Sequence, residues 1–311
     1  MKAFLFPGQG SQQVGMGRAL AEASAAARAV FQEVDDALEQ NLFRLMTEGP
    51  DEELMLTANA QPAIMANAIA TLRVLESEGG FRLSEKADFV AGHSLGEYSA
   101  LCASGSFNLA QTADLLRLRG DAMQAAVPVG VGAMAALLGA DLDKAQALCD
   151  AAAQGEVCTV ANDNDPGQVV ISGHRAAIER AVELVKDHGI KRGVLLPVSA
   201  PFHCPLMQPA ADAMDERLAE TTTMGLMIPL YANVTAAPVT HSSEAKRLLV
   251  DQVTGRVRWR ESMANLGAAG VTHLIELGGN VVAPMAKRTV ADAETMSIVT
   301  MDDIEALLKI I

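Results

Sequence analysis

The stretch Gly92-His93-Ser94-Leu95-Gly96 stands between a short apolar run, Asp88 to Ala91, and a helix-forming segment, Leu95 to Ala103. Read as strand, turn and helix, it needs a backbone reversal that glycines on both sides permit. That reversal leaves the serine oxygen exposed at a helix N-terminus. Glu97 falls in the first helical turn, where a negative charge suits the helix dipole. The pattern is that of a nucleophile elbow, and equally that of an ordinary glycine-bearing turn. To decide between them, the rest of the chain must supply a base, an oxyanion hole and a contact for substrate.

The length, 311 residues, allows one large domain or two ordinary ones, and half the residues are apolar. Ala3 to Phe6 is too short for the apolar core of a signal peptide. The uncharged window Ala122 to Ala140 is interrupted by Pro128, Gly130, Gly132 and Gly139, so it reads as a helix end, a hinge and a buried strand rather than a membrane span. Cys102, Cys149, Cys158 and Cys204 lie far apart with no metal-ligand spacing, which points to buried thiols in a reducing compartment and a cytoplasmic location. The net charge of −14 excludes nucleic acid as a partner and requires any acidic partner to dock on a local basic patch. A monomer without bound metal or redox cofactor is expected.

Along the chain, strands alternate with helices, as in an α/β fold with a mainly parallel sheet. Lys2 to Phe6 is a first strand, and it runs into Pro7-Gly8-Gln9-Gly10-Ser11-Gln12. That loop lacks the third glycine of a dinucleotide site and the Gly-Lys-Ser/Thr of a phosphate loop. It is either a tight turn or, through the amide of Gln9, half of an oxyanion hole. Helices are expected over Met16 to Ala26, Ala29 to Glu39 and Asn59 to Glu78, with Gln61-Pro62 near the start of the third. Leu109 to Ala126 forms a further helix, on which Arg117 and Arg119 diverge by about 200 degrees. One can be solvated while the other points inward, and an inward arginine needs a partner.

Beyond Pro128-Val129-Gly130-Val131-Gly132 the pattern changes. Strands over Ala133 to Leu138, Val157 to Ala161, Val169 to Ser172 and Gly193 to Pro197 enclose helices over Leu142 to Ala153 and Ala176 to His188. This β-α-β-β-α-β order is that of a ferredoxin-like unit. Residues 128–198 are therefore expected as an inserted subdomain within a hydrolase-like parallel-sheet domain built from 1–127 and 199–311. Strands at Pro229 to Val234 and His273 to Leu277, a last one near Ile298-Val299, and helices at Met207 to Glu220, Glu244 to Val253, Arg260 to Ala269 and Ile304 to Leu308 complete the chain.

Six histidines are available as a base for Ser94. His93 is its neighbour, and adjacent side chains diverge at a turn. His174 and His188 flank a helix of the insert, His241 lies in a polar loop, and His273 opens an interior strand. His203, in the proline-bracketed Pro201-Phe202-His203-Cys204-Pro205 at the seam of the two units, is the strongest candidate. Cys204 beside it is an alternative nucleophile.

The motifs Gly8-Gln9-Gly10-Ser11-Gln12, Gly92-His93-Ser94-Leu95-Gly96-Glu97, Arg119-Gly120 and Phe202-His203 occur in the order and spacing of the malonyl-CoA:acyl carrier protein transacylases. The chain resembles the discrete bacterial form over its whole length. The resemblance implies that Ser94 attacks the malonyl thioester, that His203 takes its proton, and that the amides of Gln9 and Leu95 hold the oxyanion. It implies that Arg119 pairs with the malonyl carboxylate and that the Gln252 carbonyl orients His203. Asn162 and Gln61 correspond to cleft residues, and Phe202 to a ring that crowds a methyl-branched acyl group. Malonyl-CoA would be substrate, CoA a product and acyl carrier protein the acceptor, with Lys191-Arg192 or Lys287-Arg288 as docking pairs for that acidic partner. Two departures stand out: Thr254-Gly255-Arg256 replaces a proline-bearing segment after Gln252, and Gly278-Gly279-Asn280 replaces a Gly-Pro-Gly-like turn. A serine esterase or thioesterase using Asp114, Asp121, Asp141 or Asp163, a transacylase of other acyl preference, and a non-catalytic acyl-binding protein are the competing readings.

Overall fold

A computed structural model describes all 311 residues. Its main sheet has strands β1 (Lys2–Phe6), β2 (Phe89–Gly92), β7 (Leu230–Ala232), β8 (Ala237–Val239), β9 (His273–Leu277) and β10 (Glu294–Ile298). The spatial order is β10-β9-β1-β2-β7-β8, parallel throughout except for the β7–β8 hairpin. β1 alternates Phe4 and Phe6 into the larger apolar core with Ala3 and Leu5 into a second core on the opposite face. A sheet covered on both sides needs such apolar strands.

The second sheet contains β3 (Gly132–Leu138), β4 (Cys158–Asp165), β5 (Gln168–His174) and β6 (Arg192–Leu195), in the antiparallel order β4-β5-β3-β6. Ala133, Ala135 and Leu137 pack under the unit's own helices, α8 (Leu142–Ala153) and α9 (Arg175–Leu184), while Met134 and Ala136 join the main core. The mixed α/β class with a parallel core and a separate antiparallel sheet is as the alternation of elements implied.

The remaining helices are α1 (Arg18–Ala23), α2 (Ala25–Ala37), α3 (Leu42–Glu48), α4 (Asp51–Leu54), α5 (Thr57–Gly79), α6 (Gly96–Ala103), α7 (Leu109–Ala125), α10 (Gln208–Glu220), α11 (Ser242–Thr254), α12 (Trp259–Ala268), α13 (Val282–Thr289) and α14 (Met301–Leu308). No helix is long and apolar enough to cross a membrane.

Several boundaries differ from expectation. Pro62 lies inside α5 rather than at its start, because tertiary packing draws the helix back to Thr57. There α7 crosses so closely that a Cβ at Gly120 would sit 2.5 Å from the Ala58 Cα. β4 continues to Asp165 instead of stopping at Ala161, its pairing with β5 absorbing two register shifts. α9 stops at Leu184, short of His188, and β10 lies upstream of Val299. Helices α3, α4 and α13 and strand β8 were not anticipated. For α13 the reason is physical: its first amides are held by the buried Glu276 carboxylate of β9, at 2.9 and 3.0 Å from Val281 N and 2.7 Å from Ala283 N. A helix capped from another strand carries no local start signal.

Candidate active site

The parallel register pairs Phe6 with Gly92, so β1 and β2 end level and their loops emerge side by side. A Cβ at Gly92 would lie 1.9 Å from the Gly96 carbonyl carbon, and one at Gly96 would lie 2.3 Å from the Phe6 oxygen. Both glycines of the elbow are required by close approach, and Ser94 between them takes a left-handed φ of 53°. Asn233, following β7, holds the turn from behind. Its Oδ1 accepts from Ser94 N at 2.8 Å and its Nδ2 donates to Gly92 O at 2.7 Å.

His203 Nε2 lies 2.7 Å from Ser94 Oγ, and its Nδ1 lies 2.8 Å from the Gln252 carbonyl oxygen. A carbonyl can only accept, so Nδ1 carries the proton and Nε2 faces the hydroxyl as an acceptor. Gln252 sits in the last turn of α11, where a carbonyl has no partner within its own helix. The Thr254-Gly255-Arg256 departure leaves this intact, since Gly255 N closes the helix on Asp251 O at 2.9 Å. Burial, and then the nearby Arg119 cation, lowers the His203 pKa to about 3.

Arg119 is 2 % exposed. Its Nη1 donates to Gln61 Oε1 at 2.7 Å, and its Nη2 donates to Gln252 Oε1 at 2.9 Å and to Ser94 Oγ at 3.1 Å. Arg117 turns away to Asn59 and Gln40. Which arginine points inward is thus decided by the α5–α7 crossing.

The backbone N–H groups of Gln9 and Leu95 make no hydrogen bond within the protein, and both residues line the cleft above Ser94. The cleft holds about 310 Å³ and lies between the two sheets. Met134, Ala136 and Val170 from the insert and Phe202 from the seam form an apolar wall, with Asn162 beside it. His93 also lines it, with Nε2 2.8 Å from Asn164 Oδ1.

No carboxylate reaches His203. Asp163 is bound to Arg260, while Asp114, Asp121 and Asp141 lie outside the cleft lining. Cys204 is buried, with its thiol donating to Pro201 O at 3.1 Å and its pKa raised by burial, so it faces away from the chemistry. No group of three or more potential metal ligands exists. Of the two dibasic pairs, Arg288 is tied to Asp165 and Lys287 to the Ala291 and Ala293 carbonyls. Lys191 and Arg192 are exposed and make no side-chain bond.

Sequence reading missed Glu97 and Asn233 as parts of the site. Glu97 was visible as an acidic residue in a first helical turn and as the end of the elbow motif, with no role assigned, and Asn233 only as a polar residue after a strand. Neither position carries a signal of what it will meet.

Residues 3–301 match the family model described as acyl transferase domain. The chain is 42% identical over 309 residues to the malonyl CoA-acyl carrier protein transacylase of Bacillus subtilis (strain 168), covering 99% of this chain and 96% of that one. Its structure is similar to that of the acyl-carrier-protein-S-malonyltransferase of Bartonella henselae, with a TM-score of 0.97, 52% identity and coverage of 99% and 98%. It is also similar to a malonyl-transacylase solved in complex with its type II PKS acyl-carrier protein, with a TM-score of 0.95, 38% identity and 99% coverage of each chain.

Proposed function

The chain belongs to the acyl transferase domain family, and from that premise we propose that it moves a malonyl group from malonyl-CoA to the thiol of an acyl carrier protein for fatty acid synthesis. The observation that carries this reading is Arg119, a buried cation 3.1 Å from the nucleophilic oxygen. A simple ester or lipid has no use for a cation there, whereas a malonyl thioester presents a carboxylate beside its reacting carbonyl. The planar fork of arginine suits that carboxylate in a way a lysine ammonium does not.

Ser94 Oγ bonds to the thioester carbon as His203 Nε2 takes its proton. The oxyanion is held by the free amides of Gln9 and Leu95, each such donor contributing about 3–4 kcal/mol. Collapse breaks the carbon–sulfur bond, and the departing CoA sulfur takes the proton from His203. In the second half the carrier thiol gives its proton to His203 and attacks the ester, and the proton returns to Ser94. The same His203 nitrogen serves both halves, taking the proton of Ser94 in the first and that of the carrier thiol in the second. The apolar cleft wall and the Phe202 ring exclude water and methyl-branched groups.

We assign residues 1–127 and 199–311 to the catalytic unit and 128–198 to the insert that walls the cleft. Four unpaired, buried cysteines support work in the cytoplasm. Malonyl-CoA with intact-mass detection tests the function: a malonyl adduct on Ser94, discharged faster by holo carrier protein than by water, is expected. Absence of the adduct, or equal discharge by water, would replace transfer with binding or hydrolysis.

A further inference from the structure

Glu97 is fully buried, three residues after the nucleophile. Its Oε2 accepts from Asn233 N at 3.1 Å and from Gln252 Nε2 at 2.8 Å. The same Gln252 amide presents its other end to the guanidinium, with Oε1 2.9 Å from Arg119 Nη2. Nε2 also donates to Ser94 O at 3.0 Å, so acceptors surround the nitrogen end and fix which way the amide lies. Gln252 therefore stands between a buried carboxylate and a buried cation, touching both.

A buried cation must be balanced, yet a direct ion pair would occupy the guanidinium that a substrate carboxylate has to reach. An amide placed between the charges resolves this conflict. It passes a hydrogen bond to each and keeps them apart. We propose that Glu97 is a positioning residue for carboxylate recognition: through the Gln252 amide it is the remote counter-charge that balances the buried Arg119 cation and keeps it aimed at the cleft with no carboxylate of the protein bound to it. The proposal rests on the malonyl-transfer reading of the site.

The titratable groups facing Glu97 are Arg119 from α7 and Tyr98 from its own helix, while α11 and the segment after β7 contribute only the neutral Gln252 and Asn233. Burial raises the Glu97 carboxyl to about 7, against the lowering effect of Gln252, Asn233 and Arg119. Above that pH the counter-charge is present, and below it the carboxyl is neutral.

The test compares full-length wild type with Glu97→Gln in two reactions. One is transfer from malonyl-CoA to holo carrier protein, and the other is acylation of Ser94 by p-nitrophenyl acetate, which carries no carboxylate. The variant is expected to raise the KM for malonyl-CoA by about tenfold and to change the neutral-ester reaction by less than about twofold. Wild-type kcat/KM for malonyl-CoA should fall about tenfold from pH 8 to pH 6, with the neutral ester flat and the variant flat in both. An equal loss in both reactions would show a merely structural residue, and an unchanged KM with the pH limb retained would remove Glu97 from recognition. Should the variant fail to fold, the wild-type profiles decide alone, since a limb shared by both reactions, or absent from both, overturns the proposal. A wild type that forms no malonyl-serine removes the functional reading and this inference with it.

Discussion

Asp163 and Arg260 form a two-pronged ion pair across the seam between the antiparallel sheet and the parallel one. Arg260 Nε lies 3.0 and 3.1 Å from the two carboxylate oxygens, and Nη2 lies 2.8 Å from Oδ2. The neighbours on β4 add further links: Asn164 bonds His93, Asp165 bonds Arg288, and the backbone on either side of Asn162 pairs with Val257, Asp163 N donating to Val257 O at 2.9 Å and Ala161 O accepting from Val257 N at 2.8 Å. Four consecutive buried polar residues thus set where one wall of the cleft stands relative to Ser94.

Replacing Asp163 with Asn keeps the shape and removes the charge. The aspartate is 1% exposed and the arginine 32%, so the loss should fall below that of a fully buried pair. About 1–3 kcal/mol is expected by denaturant unfolding, together with a raised KM for malonyl-CoA. Unchanged stability and KM would show that the seam does not depend on this pair.

Gly92→Ala should cost at least about 3 kcal/mol, because backbone rather than a flexible side chain blocks its Cβ. Gly225→Ala is the matched control. Its Cβ meets nothing within 4 Å, and a change within about 0.5 kcal/mol is expected. Equal unfolding midpoints for the two variants would contradict the packing at the elbow.

Arg119→Ala should lower kcat/KM for malonyl-CoA by about a hundredfold or more, with Arg119→Lys recovering little of it. Uncharged acyl-CoA should lose far less, so the ratio of the two substrates is the measurement that matters. A lysine variant near wild-type activity would mean that charge alone, without the fork, suffices.

With His203 held at about 3, Ser94 should react with a neutral serine-directed sulfonyl fluoride at a rate that is flat from pH 9 down to about pH 5. The sign for stability is the same. A histidine buried neutral contributes fully above its unfolded value of about 6.5, and that contribution is lost as pH falls toward 3. A reactivity midpoint near 6.5 would show that the ring is solvated.

Charge reversal at Lys191 and Arg192 should raise the KM for carrier protein several-fold and leave acylation by malonyl-CoA unchanged. The pair is free of internal partners, unlike Lys287 and Arg288. Unaltered carrier kinetics would place the docking surface elsewhere.

Gln9, Ser94 and His203 were legible as candidates from short local patterns, whereas Arg119 and Gln252 were assigned through the family resemblance, and the structure gathers all five at one cleft. The β-α-β-β-α-β order was legible for a similar reason, since strand and helix periods are local properties of the chain. Helix α13 was not, because Glu276 caps it from another strand. The early start of α5 was not, because α7 presses on it at Gly120.

By itself, then, the sequence determined the alternation of elements, the elbow glycines and the identity of the reacting groups, all of which follow from backbone sterics and side-chain chemistry within a few residues. The tertiary structure alone decided that Asn233 holds the elbow from behind and that Glu97 meets Gln252 from 155 residues away, and it supplied the contacts that turn Arg119 inward and Arg117 outward, which the local residues left open. Those outcomes depend on where buried charges and unpaired backbone groups find partners. No local pattern records them, because each partner belongs to a different part of the chain.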